Sequence, residues 1–306
     1  MRIMITGANG FLGSHLVEHL CKEHKIYAFS VNQYNIKEHK NIKFEKFSIE
    51  KIKNYRKQIL DFKPHVVIHC AWDGGNSYKS ADQEKQFDNV FYGKEFLGIL
   101  SELKNLYFIG FGSMVEYGEK QEKFLESDIE RPLNLYGITK YMYQIYSKKI
   151  CEQNNFKWLW VRPPYTYGPR DVKTRLIPKI IDSCLRNESI TLNLCNSVVD
   201  YIYIQDFIKG FLSLIDNNCE GVYNICSGNE YKIRDVVEKI YDLCNSRIVI
   251  NFDPSLERKG FPAHICGDRS KLTSHTGWEP QISLADGLLR TIEYQRREFN
   301  SIEKIR

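Results

Sequence analysis

The feature that most constrains this chain is a glycine-rich turn near its start. Residues 2–5 predict a short buried strand, and residues 14–21 have the spacing of a helix. Between them, Gly7, Gly10 and Gly13 follow one another at intervals of three. Such a strand–turn–helix lets the backbone approach a phosphate, and the helix N-terminus adds N–H donors and partial positive charge. The sequence therefore predicts a dinucleotide-phosphate cradle, although an ordinary turn is the alternative because the usual spacing is G-x-G-x-x-G.

Short strand-like runs alternate with helical stretches over the first half of the chain. The later predicted strands lie at 26–31, 42–47, 65–70, 106–110 and 157–162, and the predicted helices at 49–62, 87–103 and 136–153. This alternation predicts an α/β fold with a Rossmann-type, doubly wound parallel sheet. The rhythm then loosens, which predicts a smaller C-terminal α/β lobe for the substrate. We assign 1–165 and a returning segment at about 197–216 to a dinucleotide-binding domain, and 166–196 and 217–306 to the smaller lobe.

Composition and charge exclude several classes of protein. The 306 residues are 42% hydrophobic and 26% charged, which is typical of a globular protein, and the net charge is +5. This modest balance suits an anionic small ligand and does not require nucleic acid. No run approaches the roughly 18 apolar residues of a membrane span. Because the first predicted strand begins at residue 2, we expect no signal peptide.

Cysteine and histidine spacing argues against a metal or disulfide framework. The nine cysteines occur singly and form no C-x-x-C pair. This pattern predicts reduced, packing cysteines in a cytoplasmic protein. The eight histidines lack metal-ligand spacing, and His15 and His19, one helical turn apart, have no carboxylate partner. We therefore predict no metal site.

Tyr136 and Lys140 are the strongest candidates for chemistry. They lie four residues apart at the start of a predicted helix, so their side chains share one face. A lysine ammonium beside a phenol stabilises the phenolate, and such a tyrosine exchanges a proton with a carbonyl or alcohol oxygen. Ser113 closely follows the fifth predicted strand, at the sheet edge where ligands bind, and its hydroxyl suits the same oxygen. Taken alone, the Tyr–Lys pair would be read as two ordinary residues on the surface of a helix.

Together these residues resemble the extended short-chain dehydrogenase/reductase family, in its NAD(P)-dependent nucleotide-sugar epimerase, dehydratase and reductase branch. The resemblance covers nearly the whole chain. It rests on Gly7, Gly10 and Gly13, the stretch from Ser113 to Gly118, Tyr136 with Lys140, and the segments 162–169, 200–206, 268–271 and 277–280. Within the family, the chain is most similar to 4-ketoreductases of the CDP-abequose and CDP-paratose synthase type.

The resemblance implies a role for each candidate residue. Tyr136 would be the catalytic acid and base, Lys140 would bind the nicotinamide ribose, and Ser113 would polarise the sugar carbonyl. Arg258 aligns with the family's arginine for the diphosphate, a task that suits a bidentate guanidinium. Asn89 would support the site or simply pack there. The implied cofactor-binding residues are Gly7, Asn9, Gly10, Phe11, Leu12, Gly13, Ser30, Ser48, Ile49, Cys70, Ala71, Trp72, Asn89, Tyr136, Lys140, Pro163 and Thr166. The implied substrate-binding residues are Trp72, Ser113, Met114, Tyr136, Tyr165 and Arg258.

The end of the second predicted strand bears on the choice of cofactor. NAD sites place a carboxylate there for the ribose hydroxyls. Here Ser30 and Asn32 occupy that position, and Lys37 is near enough in sequence to meet a 2′-phosphate. Ser48 also stands where the family usually has an acidic residue near the adenine. We therefore favour NADP(H) over NAD(H).

Small departures from the family pattern bear on the reaction. Dehydratases of the family carry an Asp-Glu pair after the catalytic hydroxyl, whereas Met114 and Val115 stand there here and Glu116 comes one place later. We therefore expect NADPH-dependent reduction of the C4 keto group of a nucleotide-linked 4-keto-6-deoxy sugar, in the biosynthesis of bacterial surface polysaccharides such as lipopolysaccharide. An NAD-dependent nucleotide-sugar 4-epimerase is the alternative. A 4,6-dehydratase and a non-catalytic NADP-binding protein are less favoured.

The resemblance also bears on partners. Many relatives carry an arginine that contacts the nucleotide just before Asp200, and Val199 replaces it here, so the nucleotide stays open. A homodimer is implied, in which the helices at 87–103 and 136–153 form a four-helix contact. We expect a nucleotide-sugar substrate and neither a nucleic-acid nor a membrane partner.

Overall fold

The computed structural model describes residues 1–74, 80–257 and 260–303. Its strands are β1 (Arg2–Thr6), β2 (Lys25–Ser30), β3 (Ile42–Lys46), β4 (Val66–His69), β5 (Tyr107–Phe111), β6 (Lys157–Arg162), β7 (Tyr165–Tyr167), β8 (Ile190–Leu192), β9 (Val198–Val199), β10 (Tyr201–Tyr203), β11 (Gly221–Asn224), β12 (Tyr231–Lys232), β13 (Ile250–Phe252) and β14 (His264–Ile265). Its helices are α1 (Phe11–Leu20), α2 (Arg56–Phe62), α3 (Ser80–Leu100), α4 (Leu135–Gln153), α5 (Leu176–Arg186), α6 (Ile204–Asp216), α7 (Ile233–Leu243), α8 (Ser270–Thr276) and α9 (Leu284–Glu303). Short 3₁₀ helices cover Ile49–Tyr55, Met114–Glu116 and Pro254–Leu256.

Seven strands form the main sheet, in the order β11-β6-β5-β4-β1-β2-β3. Every neighbouring pair from β6 to β3 is parallel. β4 and β5 are buried along their whole length, as expected of apolar strands covered on both faces. The order of the strands reverses between β1 and β4, which is where doubly wound folds bind their ligands. The Rossmann-type α/β prediction is confirmed.

The helix predicted at 49–62 forms in two pieces. A 3₁₀ helix covers Ile49–Tyr55, and α2 begins at Arg56. The backbone of Lys51, with φ −101° and ψ 16°, departs from helical geometry and breaks the regular turn. The apolar spacing still works, since Ile52 and Ile59 are both buried.

The chain divides into two compact units whose boundaries differ from the predicted ones. The first comprises Met1–Gly118, Ile129–Arg162 and Leu214–Tyr223, and the second comprises Glu119–Asp128, Pro163–Ser213 and the chain from Asn224. The segment that returns to the first unit is Leu214–Tyr223, so 197–213 of the predicted segment lies in the second unit. β11 lies next to β6 in the main sheet, and the Tyr107 hydroxyl donates to the Cys219 carbonyl. In contrast, β9 pairs with β12 and β14, and β10 pairs with β7, within the second unit.

An aromatic core fixes the elements that carry the candidate residues of the first unit. Trp158 and Trp160 of β6 stack nearly parallel, with ring centroids 6.2 Å apart. Tyr143 of α4 is fully buried and packs edge-on against Trp160. A Cβ at Gly93 of α3 would lie 2.5 Å from the Tyr143 ring, so glycine permits the close packing of α3 on α4.

The second unit is built from small sheets and several helices. β7 pairs with β10, β8 with β13, and β9 lies between β12 and β14. Helices α5, α7 and α9 pack against one another. In the part of the chain that the structure describes, no helix combines the length and apolar character needed to cross a membrane.

Candidate active site

The glycine turn joins β1 to α1 and leaves no room for side chains. Gly7 has φ +66°, and a Cβ there would lie 2.7 Å from the backbone nitrogen of Ala71. A Cβ at Gly13 would lie 2.3 Å from the Gly7 carbonyl oxygen. Gly10 is the N-cap of α1 and brings no side chain to its first N–H groups. The turn therefore fits the pyrophosphate of a dinucleotide, which needs close backbone approach and unshielded donors.

Asparagines tie this turn to the loop after β2. Asn9 donates to the Asn32 side-chain oxygen, and the Asn35 backbone N–H donates to Asn9 Oδ1 at 2.6 Å. The Asn35 amide nitrogen also donates to the Asn9 carbonyl at 3.0 Å. Ser30 is buried at the end of β2, and Lys37 is exposed in the loop. Sequence reasoning missed Asn35, because one asparagine in a polar loop carries no distinguishing pattern.

The segment after β4 approaches the turn from the other side. The Ala71 N–H donates to Thr6 Oγ1 at 3.3 Å. The Trp72 indole donates to Gln86 at 2.8 Å. Asn89 of α3 accepts from the Asp73 N–H at 2.8 Å and donates to its carbonyl at 2.9 Å. Asn89 therefore braces the loop that carries Trp72.

Lys140 and Tyr136 lie on the first turns of α4. The helix begins beneath Asn134, whose side chain accepts from the Gly137 N–H at 2.9 Å. Lys140 is only 5% exposed, and its Nζ donates to the Phe111 carbonyl at 2.8 Å. The same Nζ lies 3.7 Å from the centroid of the Trp72 ring and 5.9 Å from that of Tyr136. Burial lowers the pKa of Lys140 to about 7, so its charge depends on the groups around it.

Ser113 lies two residues beyond the carbonyl that holds Lys140. It caps the 3₁₀ helix Met114–Glu116, with its hydroxyl accepting from the Val115 N–H at 3.4 Å. The structure therefore brings Ser113, Lys140 and Tyr136 into one region of the first unit. Met114, a predicted substrate contact, has a side chain that is almost fully buried.

Glu116 is committed to a buried ion pair. Its Oε2 accepts from Arg162 Nε at 2.8 Å, and both side chains have no exposed surface. The Trp160 indole also donates to Oε2, at 3.2 Å. Burial raises the pKa of Glu116, and the Arg162 guanidinium opposes this shift. A carboxylate held in this way is not available to protonate a leaving hydroxyl on a substrate.

The remaining predicted contacts lie in the second unit or outside the described residues. Tyr165 and Thr166 belong to β7, where Thr166 is buried and its hydroxyl has no hydrogen-bond partner among the described residues. Pro163 is half-buried just before β7. Arg258 lies outside the described residues. Val199 is fully buried in β9, so no charge occupies that position.

Asp200 anchors the loop after β11. It accepts from the Ser227 hydroxyl at 2.7 Å and from the Gly228 N–H at 2.7 Å. Asp200 is fully buried, and burial raises its pKa to about 6. Across the described ranges, no group of three or more histidine, cysteine or acidic side chains is arranged to hold a metal ion.

Comparisons with known proteins agree with this architecture. The model of the NAD dependent epimerase/dehydratase family matches residues 3–226. The dTDP-4-dehydro-6-deoxyglucose reductase of Escherichia coli is 27% identical over 95% of this chain and 96% of that protein. The CDP-abequose synthase of Salmonella muenchen is 25% identical over 95% of this chain and 97% of that protein. The crystal structure of UDP-glucuronic acid 4-epimerase from Bacillus cereus, with UDP-glucuronic acid and NAD, superposes with a TM-score of 0.88 at 24% identity over 97% of this chain and 100% of that one.

Proposed function

Since the chain belongs to the NAD dependent epimerase/dehydratase family, we propose that it is an NADPH-dependent reductase of the C4 keto group of a nucleotide-linked 4-keto-6-deoxy sugar. The proposal rests on which side chains the site around Lys140 contains and which it lacks. Ser113, Tyr136 and Lys140 supply a hydroxyl, a phenol and a cation, whereas the acid that a dehydratase needs is absent from positions 114 and 115. Glu116, the nearest carboxylate in sequence, is locked to Arg162. The relatives named dTDP-4-dehydro-6-deoxyglucose reductase and CDP-abequose synthase match over nearly the whole chain.

The proposed roles follow from the chemistry of the three side chains. A bound nicotinamide dinucleotide supplies the hydride that reduces C4. Tyr136 gives its phenolic proton to the keto oxygen as that oxygen becomes an alkoxide, and the Ser113 hydroxyl donates a hydrogen bond to it. Lys140 stabilises the resulting phenolate and binds the ribose hydroxyls of the cofactor. Gly7 and Gly13 admit the pyrophosphate to the N-terminus of α1.

A direct assay tests this proposal. The protein is incubated with NADPH and a panel of nucleotide-linked 4-keto-6-deoxy sugars that differ in base and in ring stereochemistry. Loss of absorbance at the nicotinamide band with at least one member supports the reductase. Failure with every member, while NADPH still binds, would exclude it.

The preference for NADP(H) rests on the end of β2. No carboxylate stands at positions 30–32. The Asn32 side chain is an uncharged amide, and its oxygen accepts from Asn9. A carboxylate there would bind the 2′-hydroxyl of NAD and repel a 2′-phosphate. Calorimetry with both cofactors should show tighter binding of NADPH, and Asn32→Asp should narrow or reverse the difference. Equal or tighter binding of NADH by the unaltered protein would overturn this preference.

A 4-epimerase is the second candidate, because the same three side chains suffice for it. An epimerase removes and returns the C4 hydride within one turnover, so its nicotinamide stays bound as NAD. Tightly bound NAD in the purified protein, with turnover that needs no added cofactor, would favour the epimerase. Stoichiometric consumption of NADPH would favour the reductase.

We also propose a homodimer built on α3 and α4. These packed helices leave four large apolar side chains exposed: Phe87, Phe91, Met142 and Ile145, at 46%, 52%, 43% and 52%. Exposed apolar side chains on two helices that pack together suit a second copy of the same surface. Light scattering should give twice the 36.0 kDa chain mass. Ile145→Glu should yield a monomer, and an unaltered mass for that variant would contradict the assignment.

A further inference from the structure

The buried carboxylate of Glu116 contacts the backbone of Ser113, one of the proposed catalytic residues. Glu116 has no exposed surface. Its oxygens accept from the Ser113 N–H at 2.8 Å, the Arg162 Nε at 2.8 Å and the Trp160 indole at 3.2 Å. Three donors that converge on one carboxylate favour its ionised form. The proposed reaction assigns no role to this carboxylate.

The carboxylate contacts the same short segment that serves the catalytic groups. Phe111 gives its carbonyl to Lys140, and Ser113 gives its N–H to Glu116. Between them, a Cβ on Gly112 would lie 2.2 Å from Glu116 Oε1 and 2.3 Å from the Trp160 indole nitrogen. Glycine at 112 is therefore what lets the carboxylate reach the segment.

Arg162 holds the carboxylate in place from the opposite side. Its guanidinium donates to Glu130 at 2.6 Å and to Gln144 at 2.6 Å, in addition to Glu116. It also lies 4.2 Å above the ring of Tyr117. The guanidinium thus joins β6, α4 and the turn after β5, so the Glu116 side chain has little freedom to move.

We propose that Glu116 is a positioning residue: clamped by Arg162, its carboxylate fixes the Phe111–Ser113 segment and with it the Ser113 hydroxyl and the Lys140 ammonium. The inference rests on the proposed function, in which Ser113 and Lys140 act on substrate and cofactor. A buried ion pair alone does not argue for stability, since apolar replacements often serve as well. Here the carboxylate also accepts a hydrogen bond from Ser113, and glycine at 112 leaves room for it. The ion pair therefore does more than fill the core.

The charge of Glu116 adds a second consequence. The groups that face Lys140 are Glu116 from the turn, His69 and Cys70 at the end of β4, and the Trp72 and Tyr136 rings. Burial lowers the pKa of His69 to about 3 and raises that of Cys70 to about 12, so both are neutral near pH 7. Glu116 is the foremost influence that raises the pKa of Lys140 against the effect of burial.

Glu116→Gln removes the charge and keeps an oxygen that accepts from Ser113. The titration of Lys140 is followed by NMR of the full chain labelled with ¹³C-lysine, and the signal is assigned by its loss in Lys140→Arg. The midpoint should fall by about one pH unit, because a buried cation loses a nearby anion. Glu130→Gln is the matched control, since it removes another carboxylate from the same guanidinium without touching Ser113, and it should leave the midpoint in place.

Glu116→Asp makes the converse change. The aspartate keeps the charge but is one methylene shorter, so its carboxylate cannot accept from Ser113 and Arg162 at the same time. Hydrogen–deuterium exchange at residues 111–113 should be faster by about 10-fold or more, and the Lys140 midpoint should move less than in Glu116→Gln because the charge remains. If Glu116→Gln does not fold, this variant alone decides the question.

Neither readout needs substrate or cofactor, so the inference and the reductase proposal can fail separately. A Lys140 midpoint that stays put in Glu116→Gln, or exchange at 111–113 that stays slow in Glu116→Asp, would overturn the proposal. A lowered melting temperature with both readouts unchanged would mean that the pair only packs the core.

Discussion

Gly13→Ala should damage cofactor binding through one backbone contact. The new Cβ would lie 2.3 Å from the Gly7 carbonyl oxygen, whereas ordinary contact begins at 3.4 Å, so the two must separate by about 1.1 Å. This shift falls on the turn that is proposed to hold the pyrophosphate, and a displacement of ~1 Å in a positioning element costs on the order of 100-fold. Overpacking costs about 1–3 kcal/mol in stability, which the higher helix propensity of alanine offsets by about 1 kcal/mol.

Gly98→Ala is the matched control for this experiment. Gly98 also lies inside a helix, and a Cβ there would meet nothing within 4 Å. This control should gain up to about 1 kcal/mol, so the difference between the two variants isolates the clash. Urea denaturation measures stability, and quenching of tryptophan fluorescence by NADPH measures affinity. If Gly13→Ala binds NADPH as tightly as the unaltered protein and is as stable as Gly98→Ala, the turn tolerates the new Cβ and the prediction is wrong.

Three further predictions concern titration and proton transfer. Tyr136→Phe should lower kcat by about 100-fold or more while NADPH binding survives, and full activity in a stopped-flow assay would remove Tyr136 from catalysis. Because burial lowers the pKa of Lys140 to about 7 from 10.5, the unfolded chain binds more protons between these values, so this residue makes stability rise with pH across that window. Lys140→Met should abolish that rise in urea titrations at several pH values. Burial raises the pKa of Asp200 from 3.8 to about 6, so the folded protein holds this proton more tightly than the unfolded chain does. The resulting contribution to the free energy of unfolding is full below pH 3.8 and is lost as the pH rises through 6. Asp200→Asn should remove this pH dependence.

The fold and the candidate site could be predicted wherever local pattern determined the structure. The glycine turn, the alternation of strands and helices, and the Tyr136–Lys140 spacing are all readable within a few residues. Their positions follow from periodicity and from the rule that parallel strands end at one edge of a sheet. The same rule placed Ser113 near the end of β5, where the structure has it two residues past the strand.

The features that escaped prediction depend on contacts distant in sequence. β11 joins the sheet beside β6, and nothing within Gly221–Asn224 distinguishes it from other short β-type runs. Glu116 and Arg162 are separated by 46 positions, so no spacing rule pairs them. The Asn9–Asn35 bond likewise depends on how the loop after β2 folds back. Tertiary packing decides each of these, and a single sequence does not encode it in a local pattern.

A reductase of the proposed kind transfers a hydride from NADPH to C4 of a nucleotide-linked keto sugar. NADPH deuterated at the transferred position, incubated with the protein and the panel of 4-keto-6-deoxy sugars, tests it most directly. The proposed reaction places one deuterium at C4 of the product, seen by NMR, with one NADPH oxidised for each sugar reduced. Conversion without consumption of NADPH, or a product that carries no deuterium at C4, would contradict it.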